Sequence, residues 1–341
     1  MTKTAVLLAN LGSPDAPTAA ALHDYLDEFL MDPWVLQMPW IIRRLLLSLL
    51  VLPSRPKESA KAYQKVWTDQ GSPLLVYSRQ LLEKLKRQVE QPVFLSMRYG
   101  SPSIESQLLA ISELGSIDEV IFIPLYPHFA DSTVTTSIKQ AETVIQQRDL
   151  KLKLKTIDLF YADPDYTALL AAKIKPFLDS KANAQPHLVF SYHGLPEIHL
   201  KKADPTGSHC LHSQDCCDQP SEAHKTCYRH QVMQTTQKVV AKLGLSPQDY
   251  SVCFQSRLGR AKWLEPSAEQ MIEQLAAQGK KDLVVVCPAF VTDCLETLEE
   301  IGMRGQEQFI AAGGRSSQLI PCLNDDDEWV QLLAKWIKPL V

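Results

Sequence analysis

Apolar positions follow two rhythms along this chain. Residues 4–10, 119–127, 187–193 and 282–290 form largely continuous apolar runs, of the kind that suits strands buried on both faces. Residues 92–99, 152–160, 250–257 and 318–323 are shorter or partly alternating and also read as strands. Elsewhere the apolar spacing is three or four, clearest at Leu22, Tyr25, Leu26, Phe29 and Leu30, so 14–31 is predicted helical. Similar patterning predicts helices over 56–67, 73–91, 103–114, 131–148, 164–180, 221–243, 266–278, 292–312 and 325–337. Strands alternating with helices imply an α/β fold of parallel sheets covered on both faces. Four strands fall in each half, giving domains over 1–160 and 161–324 with a cleft between them, and a closing helix at 325–341.

The strand at 187–193 carries the first chemical signal. Leu188-Val189-Phe190-Ser191 runs into Tyr192-His193-Gly194-Leu195-Pro196, so His193 emerges at the strand's carboxyl end. Ligands of open α/β sheets bind outside those ends. A histidine merely hydrogen-bonded at a strand terminus is the plainer reading, but a second signal weighs against it. Asp293, Glu296 and Glu300 recur at i, i+3 and i+7 directly after a buried strand, which predicts three carboxylates along one helix face. Such a face is often only solvated surface; beside a strand-end histidine it suits a divalent cation or the movement of protons. Single cations also stand beside flat apolar surface, at Met97-Arg98-Tyr99, at Leu125-Tyr126-Pro127-His128 and at Trp263. Arg98 is suited to a ligand carboxylate and the rings to something flat, although core packing explains most of the aromatics equally well.

Charge and motifs narrow the classes. The chain has 35 Lys and Arg against 39 Asp and Glu, a formal charge of -4, and no long basic run, which argues against nucleic acid as the main partner. No glycine-rich phosphate loop or G-x-S-x-G elbow occurs. The amino terminus lacks a signal-peptide pattern, so a cytoplasmic location is expected. The most hydrophobic segment, 34–52, is broken by Gln37, Pro39, Arg43, Arg44 and Ser48. A membrane span needs roughly 20 mainly apolar residues. The segment therefore reads either as an amphipathic lip touching a membrane or a greasy substrate, which leaves peripheral attachment open, or as a half-buried covering helix.

Taken in order, the segments at 8–14, Gly71-Ser72-Pro73, Met97-Arg98-Tyr99, Pro124-Leu125-Tyr126-Pro127, 191–196, Phe254-Gln255-Ser256-Arg257 and 287–301 resemble the ferrochelatases. That family inserts ferrous iron into protoporphyrin IX to make haem. Each motif is weak alone, but their order and spacing over nearly the whole chain are specific. The resemblance implies two similar Rossmann-like domains with the macrocycle in the cleft. It implies a catalytic histidine at His193 and an essential glutamate at Glu296, these two meeting the Fe2+ substrate, with Asp293 and Glu300 extending an acidic path for protons or metal. It further implies that Leu11, Tyr63, Arg98, Tyr126 and Trp263 line the porphyrin pocket. Insertion requires a bent macrocycle, loss of two N–H protons and dehydration of iron; apolar walls can offset the bending. An imidazole, titrating near neutrality, suits either proton acceptance or iron ligation, and the sequence leaves both open for His193. Competing readings are a chelatase for a related tetrapyrrole (coproporphyrin, or cobalt insertion) and a non-catalytic porphyrin or haem carrier. A carrier would not need the carboxylates. Oligomeric state is left open.

Eight cysteines in a reducing compartment do not read as four disulfides. Cys210, Cys216, Cys217 and Cys227 crowd into the polar loop 205–228 as C-x5-C-C-x9-C, a density that points to thiolates around a metal centre. His209, His212 and His224 keep zinc open. Some bacterial ferrochelatases place all four ligands of a 2Fe-2S cluster in such an internal loop, and this sequence resembles that type. It departs from the animal pattern, since Asp131 occupies the upstream cysteine position and 336–341 contains no cysteine. An iron-sulfur cluster ranks first, zinc second and redox-labile thiols third. Cys253, Cys287 and Cys322 read as core, and Cys294, beside the acidic face, is undecided.

Overall fold

The structure, a computed structural model, describes residues 3–179, 186–257, 259 and 261–341. The predicted helix end at Ser180 lies outside the described residues. The chain divides into two compact units, the first Met1–Tyr126, Ala130–Asp158 and Asn324–Val341, the second Pro127–Phe129 and Leu159–Leu323.

In the first unit β1 (Thr4–Gly12), β2 (Val93–Tyr99), β3 (Glu119–Pro124) and β4 (Lys153–Thr156) form a parallel sheet in the order β2-β1-β3-β4. Ala5, Leu7 and Ala9 of β1 pack with Ile104, Leu108 and Phe122, which is why β1 is apolar throughout rather than alternating. The chain leaves β1 for β2 on one side and returns to β3 on the other. That reversal opens a crevice at the carboxyl ends, where such sheets bind ligands. The helix Asp327–Ile337 also belongs here: Trp329 and Leu333 are fully buried, and Lys84 Nζ donates to Asp325 O at 2.7 Å and Asp327 Oδ1 at 2.8 Å.

The second unit repeats the plan. β5 (His187–His193), β6 (Tyr250–Gln255), β7 (Asp282–Val286) and β8 (Ser316–Leu319) lie parallel in the order β6-β5-β7-β8, so the reversal falls between β5 and β7. Its core includes Val189, Ile272, Leu283, Val285 and Phe309. Ser267 caps the helix Ala268–Ala277 in a reciprocal box with Gln270, satisfying otherwise orphaned amides.

Several elements differ from expectation for physical reasons. Strands predicted to run to 160, 290 and 323 stop at Thr156, Val286 and Leu319; Phe160, Cys287 and Cys322 beyond them are buried by side-chain packing without a ladder. A short helix, Glu197–Ala203, follows Pro196 where only loop was expected, and the predicted helix 221–243 is a single turn, Glu222–Lys225, followed by Tyr228–Leu243. Wide π-helical turns occupy Leu47–Val51, Asp131–Thr135 and Glu296–Gly305, a geometry that recurs at functional sites.

Candidate active site

β5 delivers His193 to the reversal point of the second sheet. Its Nδ1 lies 2.6 Å from the Gly194 carbonyl oxygen. A carbonyl only accepts, so Nδ1 carries the proton and, in the neutral ring, Nε2 is the basic nitrogen. The Tyr228 phenol donates to the His193 carbonyl at 2.9 Å, and Phe290 stands edge-on to the imidazole at 6.2 Å. Gly194 is fixed by space: a Cβ there would fall 2.8 Å from Gln255 O and 3.2 Å from Cε3 of Trp263. Trp263, half-buried and bridged through its backbone to Pro196, is thus held against the glycine beside His193.

The carboxylates are not arranged as the helical spacing predicts. The wide turn starts at Glu296, so Asp293 precedes it and turns inward, 2% exposed. Its Oδ1 accepts from the Thr297 hydroxyl at 2.9 Å and its Oδ2 from Cys322 N at 3.2 Å. Glu296 and Glu300 remain together and half-buried. Burial pushes the Glu300 carboxyl above its ordinary range, and the Glu296 charge adds to this. The Ser256 amide and hydroxyl, donating at 2.7 and 2.6 Å, and the nearby His193 oppose the shift without cancelling it. Cys294, whose thiol burial pushes up, is hydrogen-bonded to the Glu296 carboxylate.

Gln255 and Ser256 carry roles that the sequence reading left unassigned. Buried Gln255 accepts from the Ser191 hydroxyl at 2.7 Å and donates to Glu296 O at 2.8 Å, tying β5 to the acidic turn. Ser256 reaches Glu300 from a left-handed backbone, φ 66°. Their sequence signals are adjacency at a strand end and membership of the Phe254-Gln255-Ser256-Arg257 motif, neither of which assigns a role.

Leu11, Arg98 and Tyr126 lie at or just past the carboxyl ends of β1, β2 and β3 in the first unit. Tyr63, on helix Arg55–Val66, is buried edge-on to Trp67 at 5.9 Å. Arg98 is already paired: Nη2 meets Asp32 Oδ2 at 2.5 Å and Nε donates to Thr136 Oγ1 at 2.7 Å. Asp32 Oδ2 also accepts from Tyr99 OH at 2.8 Å, and its Oδ1 accepts from Trp34 N at 2.7 Å. Arg98 therefore anchors the start of the 34–52 segment, and its carboxylate partner comes from within the chain. In that segment Trp40, Ile41, Ile42, Leu45, Leu49 and Leu50 are 54–70% exposed, while Leu47 and Arg43 are buried.

The four loop cysteines are all buried. Cys227 is held well below the ordinary thiol range by hydrogen bonds from Cys210 and then Cys217, whose own thiols are pushed up. Arg229 Nη1 lies 3.7 Å from Cys216 Sγ. His209 Nε2 and His224 Nε2 meet Cys216 O at 2.7 and 3.2 Å, and His230 Nδ1 meets Cys217 O at 2.8 Å, so these nitrogens donate to backbone. Asp204 starts the loop by accepting from His209 N and Cys210 N at 2.7 and 2.8 Å. Among the described residues no three His, Cys, Asp or Glu side chains are set in a metal-holding arrangement, and none of the described helices is long and apolar enough to cross a membrane.

Comparison with known proteins agrees with the two-sheet fold. The family model described as Ferrochelatase matches residues 3–340. A ferrochelatase of Ectopseudomonas mendocina (strain ymp) is 52% identical over 98% of this chain and 97% of its own, and one of Azotobacter vinelandii (strain DJ / ATCC BAA-1303) is 50% identical over 98% of each. The solved structure of SirB from Bacillus subtilis with Fe3+ covers 99% of this chain and 95% of its own at a TM-score of 0.54 and 13% identity, a likeness of fold alone.

Proposed function

Since the chain belongs to the ferrochelatase family and inserts ferrous iron into protoporphyrin to make haem, we propose that the insertion chemistry centres on His193 and Glu296. The observation that carries this is the 2.6 Å contact between His193 Nδ1 and Gly194 O, which leaves Nε2 as the basic nitrogen at a sheet reversal point. Nε2 accepts one pyrrole N–H proton at a time as iron enters, passing the first on before it takes the second. Glu296 meets the metal, and Glu300, when ionised, takes each proton from the imidazole, its burial favouring the protonated form, and releases it to solvent before the next. Asp293 supports the turn from within. Leu11, Tyr63 and Tyr126 supply flat apolar surface from the first unit, and Trp263 supplies it from the second. Arg98, paired with Asp32, holds the first unit's part of that surface in place rather than clamping a substrate carboxylate.

The cysteine loop suits a 2Fe-2S cluster on Cys210, Cys216, Cys217 and Cys227 by its donor set: four buried free thiols in one loop, with His209, His224 and His230 turned to backbone carbonyls. Such a cluster supplies one-electron redox chemistry. We place the protein in the cytoplasm, attached peripherally to membranes by the apolar face of 34–52.

The deciding experiment is anaerobic incubation with protoporphyrin IX and ferrous iron, followed by absorption spectroscopy, with Glu296→Gln alongside. Insertion lost with porphyrin binding retained is expected. Equal loss of both, or loss of neither, overturns the assignment of Glu296. The protein alone should contain iron and acid-labile sulfide in equal amounts, and zinc in their place would overturn the cluster.

A further inference from the structure

We propose that Tyr228 is a positioning residue for His193, and that through it the order of the cysteine loop reaches the catalytic strand. The proposal rests on the reading of His193 as catalytic. On the β7 side the β5 ladder ends at the Phe190–Val286 pair, three residues before His193. On the β6 side it continues to His193, and Gly194 N donates to Gln255 O at 2.7 Å. The peptide joining His193 to Gly194 is thus pinned through its N–H by β6. Its carbonyl takes the Tyr228 phenol at 2.9 Å where a strand partner is lacking. The imidazole is itself referenced to this backbone through Nδ1 and Gly194 O, so a shift of the peptide turns the ring.

Tyr228 directly follows Cys227, and Cys227 caps the helix Tyr228–Leu243 by accepting from His230 N at 3.5 Å. The tyrosine is buried, edge-on to His128 at 5.7 Å; His128 is wedged against Tyr192 and meets Thr235 Oγ1 at 2.9 Å. One turn on, the fully buried Gln231 donates to His224 O and Lys225 O at 3.2 and 3.0 Å and accepts from Phe129 N at 2.7 Å. The end of the cysteine loop and the first turns of this helix are therefore bound as one piece. A loop that loses its order moves Cys227, and Tyr228 moves with it.

Tyr228→Phe removes the one hydrogen bond and keeps the ring. A single hydrogen bond of this kind corresponds to a ~3–10-fold fall in kcat, with KM for protoporphyrin IX unchanged and faster amide exchange over 190–196. Cys217→Ser should produce the same pair of changes. Combining the two should add little to either, because coupled sites are non-additive. Full additivity would remove the link to the loop, and unchanged kcat and exchange in Tyr228→Phe would remove the positioning role. A rise in KM matching a fall in melting temperature would reduce Tyr228 to a packing residue. His193→Ala separates the two levels: surviving turnover sinks the reading of His193 itself, whereas abolished turnover beside an unaffected Tyr228→Phe sinks only this inference.

Discussion

The carboxylate of Glu300 meets both the amide and the hydroxyl of Ser256, at 2.7 and 2.6 Å, and still holds its proton above the ordinary carboxylate range. Burial outweighs two good donors there, with the charge of Glu296 assisting. A carboxyl whose folded value is raised contributes stability that is complete below its unfolded value and is lost as pH rises through the folded one. Glu300→Gln cannot ionise and escapes that loss. Its melting temperature should therefore gain on the wild type as pH is raised from ~5 to ~8. A gap that stays constant over this range would show that Glu300 ionises without cost.

Asp32 and Arg98 form a second dependence. The Asp32 side chain is 1% exposed and that of Arg98 13%, so removing either leaves a buried charge unpaired. Asp32→Ala should lose about 3–5 kcal/mol in urea denaturation. Adding Arg98→Met should recover a large part of it. If the double variant is as unstable as the sum of the singles, the pair is not coupled.

At Gly194 the prediction is steric. An added methyl meets backbone oxygen on one side and the Trp263 ring on the other, and backbone cannot swing away as a flexible side chain can. Gly194→Ala should cost about 1–3 kcal/mol and lower turnover together with stability. Wild-type unfolding and turnover in this variant would mean that the Trp263 contact is loose.

The apolar face of 34–52 makes a binding prediction. Ile41 and Leu49 are 66% and 68% exposed, so replacing both with Ser should change stability by about 0.5 kcal/mol or less. The same change should abolish co-sedimentation with phospholipid vesicles. Wild type that stays in the supernatant, or a variant that still pellets, would refute peripheral attachment.

His193 was legible in the sequence because a continuous apolar run marks a buried strand and Gly194-Leu195-Pro196 marks its end. The parallel sheets followed from the alternation of elements. Asp293 was legible as a carboxylate but not in its direction, since the helix was read at an α spacing. The wide turn at Glu296–Gly305 depends on packing that no short window reveals. Asp32 carries no motif in the sequence, and its partner Arg98 lies 66 residues away. Tyr228 was hidden by a helix predicted to begin at 221, which placed it in mid-helix instead of directly after the cap at Cys227.

The first unit takes chain from before Tyr126 and is completed only by Asn324–Val341, after every residue of the second has been added. On the ribosome the second unit therefore has its full complement of chain first. Until the last helix emerges, the site that encloses Trp329 is empty and Lys84 waits without Asp325 and Asp327. Order of synthesis and order of completion run in opposite directions, and a nascent chain interrupted near residue 323 would carry a finished second unit beside an unfinished first.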